Sequence, residues 1–441
     1  MEIRDLIVTP IVLILIYGLA FGIRSSVTDE VNRVYFIPAL TVKIIGALAL
    51  GFIYQFYYSG GDTFTYHTHG SRPLWEALIE TPANGIKAFF YHGTYGAGLW
   101  SIAEKIWYWR DSSSFFIIQI ATIFDLITFS SYSATAVLFS VLSFIGGWML
   151  YLTFYTSYPK AYRILAYSCL FVPSVIFWGS GILKDTVTLA FVGISTYCVS
   201  RLIIDRKISI LNVALLIVSF YVIFSVKKYI LISLVAGIIV WVASNYILRI
   251  RSAVSRLLLI PTVTVLSIVL SYIVINNIMG DDSRYSLDRI AKTSMITAHD
   301  IRYGWGARTG DGSGYTLGKL DGTWQSMITM APAALNVSLF RPYLWEVKNP
   351  LMALSSLEAL LTLCFTAYVL FTVRANIFKY IRAEIIFCLV FVIIFAVGVG
   401  VSTFNFGTLS RYKIPLLPFY WSMLAIIYST WKEDKILRLQ D

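Results

Sequence analysis

Charge is scarce in this chain. Asp, Glu, Lys and Arg make up 13% of the 441 residues, against roughly 25% in soluble globular domains, which excludes an ordinary water-soluble fold. Cysteine is scarce too: Cys169, Cys198, Cys364 and Cys388 all lie inside apolar runs with no CxxC spacing. That leaves no zinc motif, no redox motif and no disulfide framework to read. A cleavage site is missing after the first apolar run, from Leu6 to Ile23, and acidic Glu2 precedes it. This run therefore reads as a retained membrane segment rather than a signal peptide. Internal repeats, low-complexity tracts and a separable soluble domain are also absent, so residues 1–441 read as a single integral membrane domain.

What is abundant is apolar: 58% of the residues are hydrophobic. A spanning helix needs about 20 mostly apolar residues. Runs of that kind fall near 6–23, 36–56, 133–155, 164–183, 186–203, 209–226, 229–247, 256–278, 350–372, 384–402 and 414–431. The expected fold is therefore all-α and polytopic, with about 11 (10–12) transmembrane helices. Two long polar segments interrupt the runs: 57–130, with interfacial helices, and 279–349. The short run 114–130 is ambiguous: it reads as an interfacial helix, but if it crosses instead, 57–113 and the N-terminus lie on the cytoplasmic side.

Alternate short loops are basic. Lys160 and Arg163; Arg201, Arg206 and Lys207; Arg249, Arg251 and Arg256; Arg374, Lys379 and Arg382; and the tail's Lys432, Lys435 and Arg438 mark a cytoplasmic side. Both long segments then lie outside the cytoplasm. The net charge, 35 − 24 = +11, follows from such loops and calls for no nucleic acid partner.

The outer face still carries Lys184, Lys227, Lys228, Arg411 and Lys413 at span ends. Each of them can snorkel to the interface. Five together, against the usual bias, point to a site for a lipid phosphate or diphosphate held by charge-assisted hydrogen bonds. No charge is expected at mid-span. Beside them stands "YYSGGDTFTYHTHGSRPLW", residues 57–75. Gly60–Gly61 permits a sharp turn before Asp62, which is placed either to cap the next helix or to act as a general base on a sugar hydroxyl. Tyr66 and His67 follow, placed to position a sugar. Asp62, His67 and His69 are also an incomplete divalent-metal set; a metal is an open alternative, and none is required.

In "FWGSGILKDTVTL", Lys184 is the candidate phosphate ligand and Asp185 a helix cap. "GWGARTGDGSGYTLGKLDG", residues 304–322, holds seven glycines. It misses the phosphate-loop pattern by one residue of spacing and by Leu320 in place of Ser or Thr, and reads either as a mobile external loop that closes over substrate or as plain disorder. "SLFRPYLWEVKNP" places Arg341 and Glu346 around interfacial aromatics, either as a mutual pair or as substrate contacts. In "FGTLSRYKIPLLPFY", Pro415 and Pro418 break the helix just past Arg411 and Lys413.

Together, "GGDTFTYH" in an early external segment, "LSRYKIPLLPF" at the last span, "PSVIFWGSGILKD" and "LFRPYLWE" resemble bacterial GT-C-type membrane glycosyltransferases and envelope polysaccharide polymerase-like proteins. The resemblance implies transfer of a sugar from a polyprenyl-phosphate or -diphosphate donor to a glycan or lipid acceptor, on the outer side of the bacterial inner membrane. By position it implies a catalytic role for Asp62 and a lipid-phosphate contact for Arg411. In that family the acidic loop follows the first span, whereas here it follows the second. The rival expectations are a transporter or flippase for lipid-linked sugars, using the same cations without a base, and a scaffold in an envelope assembly.

Overall fold

Among the described residues twelve long helices organise the fold, because an apolar segment in lipid must satisfy its backbone internally. The computed structural model describes residues 2–96, 98–279, 287–305, 313–318 and 320–440. These contain no named strand, only one isolated bridge between Gly314 and Asn405. The helices are α1 (Ile3–Val27), α2 (Arg33–Phe56), α3 (Ser112–Thr128), α4 (Tyr132–Ser157), α5 (Lys184–Val199), α6 (Ile210–Val226), α7 (Lys228–Ile247), α8 (Ala253–Met279), α9 (Trp324–Phe340), α10 (Pro350–Val373), α11 (Ala383–Thr403) and α12 (Leu417–Leu437). Among the described residues, eight helices are long and apolar enough to cross a membrane: α1, α2, α4, α5 with its π-helical extension to Ile204, α7, α8, α10 and α11. The protein is an all-helical, polytopic integral membrane protein.

Three of the eleven expected spans take other forms. The run 164–183 is not one helix: it stops at Leu170, resumes at Pro173 and ends at Trp178. Proline has no N–H to continue the ladder, and its ring disfavours helical backbone at the residue before it; Gly179-Ser180-Gly181 then unravels the next turn. The run 209–226 forms α6, apolar but only 17 residues long. The run 414–431 starts later, at Leu417, after a short helix Phe406–Tyr412 and a turn through Pro415, and continues into the charged end at Leu437. The ambiguous run 114–130 becomes α3, whose first turn is capped by Asp111 accepting from the Ser113 amide. Its buried side carries Ser114, Thr122, Asp125 and Thr128 beside apolar residues. Ile123, Leu126 and Ile127 face outward, the reverse of an interfacial helix that shows its polar side to water.

The described chain groups into two compact units. The first comprises Met1–Thr153, Leu170–Leu202 and Lys207–Lys227. In its core Phe36 meets Phe144 and Trp148 edge-on, with centroids 5.1 and 5.0 Å away. The second comprises Phe154–Cys169, Ile203–Arg206 and Lys228–Asp441. There Trp241 stacks on Phe387 at 4.7 Å and Phe391 packs on Phe419 at 4.6 Å. Lipid tails are as apolar as leucine, so such helix contacts are held by close packing rather than by escape from water. The spanning windows least covered by protein are those of α1 and α8, of which 17% and 11% is buried. Side chains such as Leu6, Ile14, Leu19, Leu257 and Val265 cover these faces and suit contact with lipid.

Candidate functional site

In the first unit the polar chemistry gathers where short helices meet the ends of long ones. Gly60 and Gly61 have φ of 132° and 127°, backbone that only glycine adopts without strain. They turn the chain off the end of α2 and start a helix at Asp62. A side-chain methyl at Gly61 would lie 2.7 Å from the Tyr54 ring, so the turn is also pressed against α2. Asp62 is half-buried, and the Tyr108 hydroxyl donates to its Oδ1 at 3.5 Å. The rings of Tyr66 and Tyr108 pack at 5.3 Å. The result is a half-exposed carboxylate against an aromatic wall.

Two lysines stand in the same unit. Lys184, at the start of α5, donates to Ser113 Oγ at 2.7 Å and reaches Asp111 Oδ2 at 3.4 Å; its ammonium also feels the charges of Lys227 and Asp62. Lys227 is buried and paired with the fully buried Asp185. Asp185 is therefore an ion-pair partner rather than a simple cap. Burial alone would raise the Asp111 carboxyl, but the Lys184 charge and hydrogen bonds from Ser114 and Ser113 outweigh it and bring the pKa down to about 2. The cluster thus holds three carboxylates (Asp62, Asp111, Asp185) for two ammonium groups. Of the five cations expected at this rim, Lys184 and Lys227 belong to the first unit and each stands with an aspartate, while Lys228, Arg411 and Lys413 belong to the second.

His67 is not at the rim. Its side chain is fully buried, with Nε2 3.5 Å from Asp125 Oδ1. Asp125 is likewise fully buried and accepts from Ser71 and Thr135, each at 2.6 Å. A π-helical turn over His67–Ser71 widens the helix and brings His67 and Ser71 to the same carboxylate. His69 lies flat on Trp107, with centroids 4.3 Å apart. Asp62, His67 and His69 therefore engage three different partners. Among the described residues no group of three or more His, Cys, Asp or Glu is arranged to hold a metal ion.

The second unit holds the other expected residues. Arg341 Nε lies 3.1 and 3.0 Å from the two oxygens of Glu346, with a further contact from Nη2. Its guanidinium also lies over the rings of Phe406, Tyr315 and Tyr343, at 5.3, 5.6 and 5.8 Å. Burial pulls Glu346 up, but Arg341 and the Tyr343 amide outweigh it and hold the carboxyl below its ordinary range. The mutual pairing of Arg341 and Glu346 is what the structure has. Lys413 is buried, donates to the Arg341 carbonyl at 3.4 Å and feels the charge of Glu358. Arg411 is half-buried beside the Tyr412 ring, and Lys228 is half-buried at the start of α7. Within the glycine-rich stretch 304–322, positions 306–312 and 319 lie outside the described residues.

Several functional candidates were not read from the sequence. Asp111 and Tyr108 reach the Asp62–Lys184 cluster, and Asp125 reaches His67, from positions distant in the chain, which no local spacing announces. Lys43 and Glu358 overturn the expectation that charges stand only at span ends: both are buried inside long apolar helices, α2 and α10. A search for single charges inside the apolar runs would have found them. No family model, curated protein or solved structure matches the chain.

Proposed function

We propose that the protein is a membrane glycosyltransferase acting, outside the cytoplasm of a bacterial cell, on a polyprenyl-phosphate- or diphosphate-linked sugar. The observation that carries this reading is the half-exposed Asp62, set against Tyr66 and Tyr108 and within electrostatic reach of Lys184. A sugar presents both apolar faces and hydroxyls, so the Tyr108 ring beside a carboxylate suits it. Tyr66, 3% exposed and packed on Tyr108, braces that ring rather than positioning the sugar itself. In the proposed step Asp62 takes the proton of an acceptor hydroxyl as its oxygen attacks the anomeric carbon. The bond from that carbon to the phosphate oxygen breaks, and the electron pair leaves with the lipid phosphate. Lys184, exchanging Asp111 for the departing phosphate, stabilises the charge that develops. The products would extend an envelope glycan or glycoconjugate. Arg341 does not enter this step, since Glu346 and three rings already satisfy it; His67 acts from the interior, not on the sugar.

The second reading, a flippase for lipid-linked sugars, is favoured by the interrupted helix at 170–173 and the buried Lys43, features common in transporters. One experiment separates them: purified protein in liposomes with radiolabelled polyprenyl-linked sugar. Release of lipid phosphate with a lengthened glycan supports transfer. Passage of intact lipid across the bilayer without bond cleavage replaces transfer with transport.

A further inference from the structure

Lys43 is the eleventh of the 24 residues of α2, roughly 15 Å along it from the N-terminus at about 1.5 Å per residue. It is 3% exposed. Its Nζ donates to Val175 O at 2.8 Å, Ser143 Oγ at 2.9 Å and Gly179 O at 3.1 Å. None of the three acceptors is a carboxylate. Two are carbonyls at the C-terminal end of the short helix Pro173–Trp178, where the chain has no following turn to satisfy them and where the helix dipole favours positive charge. The third is a hydroxyl from α4. An ammonium has three N–H donors, and here it has three oxygens.

The surrounding backbone is shaped for this contact. A methyl group at Gly179 would lie 3.2 Å from the Lys43 ammonium and 2.4 Å from Val175 O. One turn along α2, a methyl at Gly46 would lie 2.2 Å from Ile176 O. Both positions must therefore be side-chain-free for α2 to press against the broken helix and close the ring of oxygens. A charge at this depth in an apolar helix is expensive unless its surroundings replace water. Here backbone carbonyls and one hydroxyl replace it, the donor set that holds monovalent cations where helices are interrupted in membranes.

We infer that the oxygens of Val175, Gly179 and Ser143 form a monovalent-cation site inside the membrane-spanning part of the protein, filled by the chain's own lysine ammonium. The site is separate from the Asp62 cluster and does not depend on the glycosyltransferase reading. Its ligand class follows from size: ammonium and potassium ions are similar, and the 2.8–3.1 Å distances fit either better than the smaller lithium ion.

The test is chemical rescue of Lys43→Ala in the purified, detergent-solubilised full chain. Thermal unfolding is followed in potassium, ethylammonium, lithium or N-methylglucamine salts of equal ionic strength. Lys43→Ala should unfold well below wild type in N-methylglucamine and recover at least half of the loss in potassium or ethylammonium, less in lithium. Wild type should be indifferent to the cation. Equal stability of Lys43→Ala in all four salts, or the same gain in wild type, overturns the site. Lys43→Gln supplies a second arm, because it keeps a neutral donor of similar reach. It should also lose stability relative to wild type, and a Gln variant as stable as wild type would show that the ring has no need of a cation.

Discussion

Two ion-paired sites, one in each unit, join cation to carboxylate over very different distances in the chain. In the second unit Arg341 and Glu346 are five residues apart, joined by two guanidinium nitrogens and caged by rings. In the first, Lys184 and Asp111 are 73 residues apart and Lys227 and Asp185 are 42 apart, and Asp62 joins them from a third segment. A local pair forms as soon as its turn forms, and its groups are occupied by one another. A pair assembled from distant helix ends exists only when the helices are packed. Of the two such pairs Lys227–Asp185 is buried, whereas Lys184 and Asp111 keep 18% and 50% of their side chains exposed, where a ligand can exchange with them. Under the proposed function, chemistry belongs to the Asp62 cluster and bracing to the Arg341–Glu346 pair.

The sharpest way to break this contrast is at Asp62. Asp62→Asn should lower transfer by about 10²–10⁴, the usual loss on removing a general base, while leaving the thermal unfolding temperature near that of wild type. Near-normal turnover would remove Asp62 from the mechanism and with it the functional priority of the first unit.

The next largest effect is expected at the buried pair. Lys227→Met strands Asp185, and losing one partner of a buried ion pair costs roughly 3–5 kcal/mol. Replacing both, as Lys227→Met with Asp185→Leu, should recover most of that in denaturation measurements. A double variant as unstable as the single one would mean that the pair is not what positions these helix ends.

Arg341→Lys probes the second unit. It keeps the charge but loses the planar fork and much of the ring contact, with an expected cost of about 1–2 kcal/mol in stability. Transfer per folded molecule should fall by less than tenfold. A loss of transfer as deep as that of Asp62→Asn, with stability intact, would move Arg341 from bracing to substrate.

The smallest effect is the pH dependence of Asp111. Its folded pKa, about 2, lies below the ordinary 3.8, so its ionised form is favoured by folding. The stabilisation is complete above the ordinary value and is lost as pH falls through about 4 toward 2. The stability difference between wild type and Asp111→Asn should be constant from pH 6 to 8 and shrink below pH 4. A difference that grows on acidification would contradict the Lys184–Asp111 contact.

Local patterns account for what could be read directly. Long apolar runs announce spanning helices wherever they occur, since burying the backbone in lipid leaves few alternatives. Pro173 and Gly179-Gly181 carry the reason why one run breaks, yet a hydropathy pattern averages over single residues and hides it. Arg341 and Glu346 were legible as a pair because they share a turn. Asp62 stood out because two glycines precede it, but its neighbours Tyr108 and Lys184 did not, and His67 looked accessible although it is enclosed.

Sequence alone determined that this chain lives in a membrane as a helical protein: composition and run length decide that, and both are sums over residues that need no partner. Tertiary packing alone decided that Lys43 sits in a ring of oxygens, that His67 faces Asp125, and that each lysine of the first cluster comes with an aspartate. Electrostatic and hydrogen-bond energies depend on distances of a few ångströms between groups tens of residues apart, and only the packed helices set those distances.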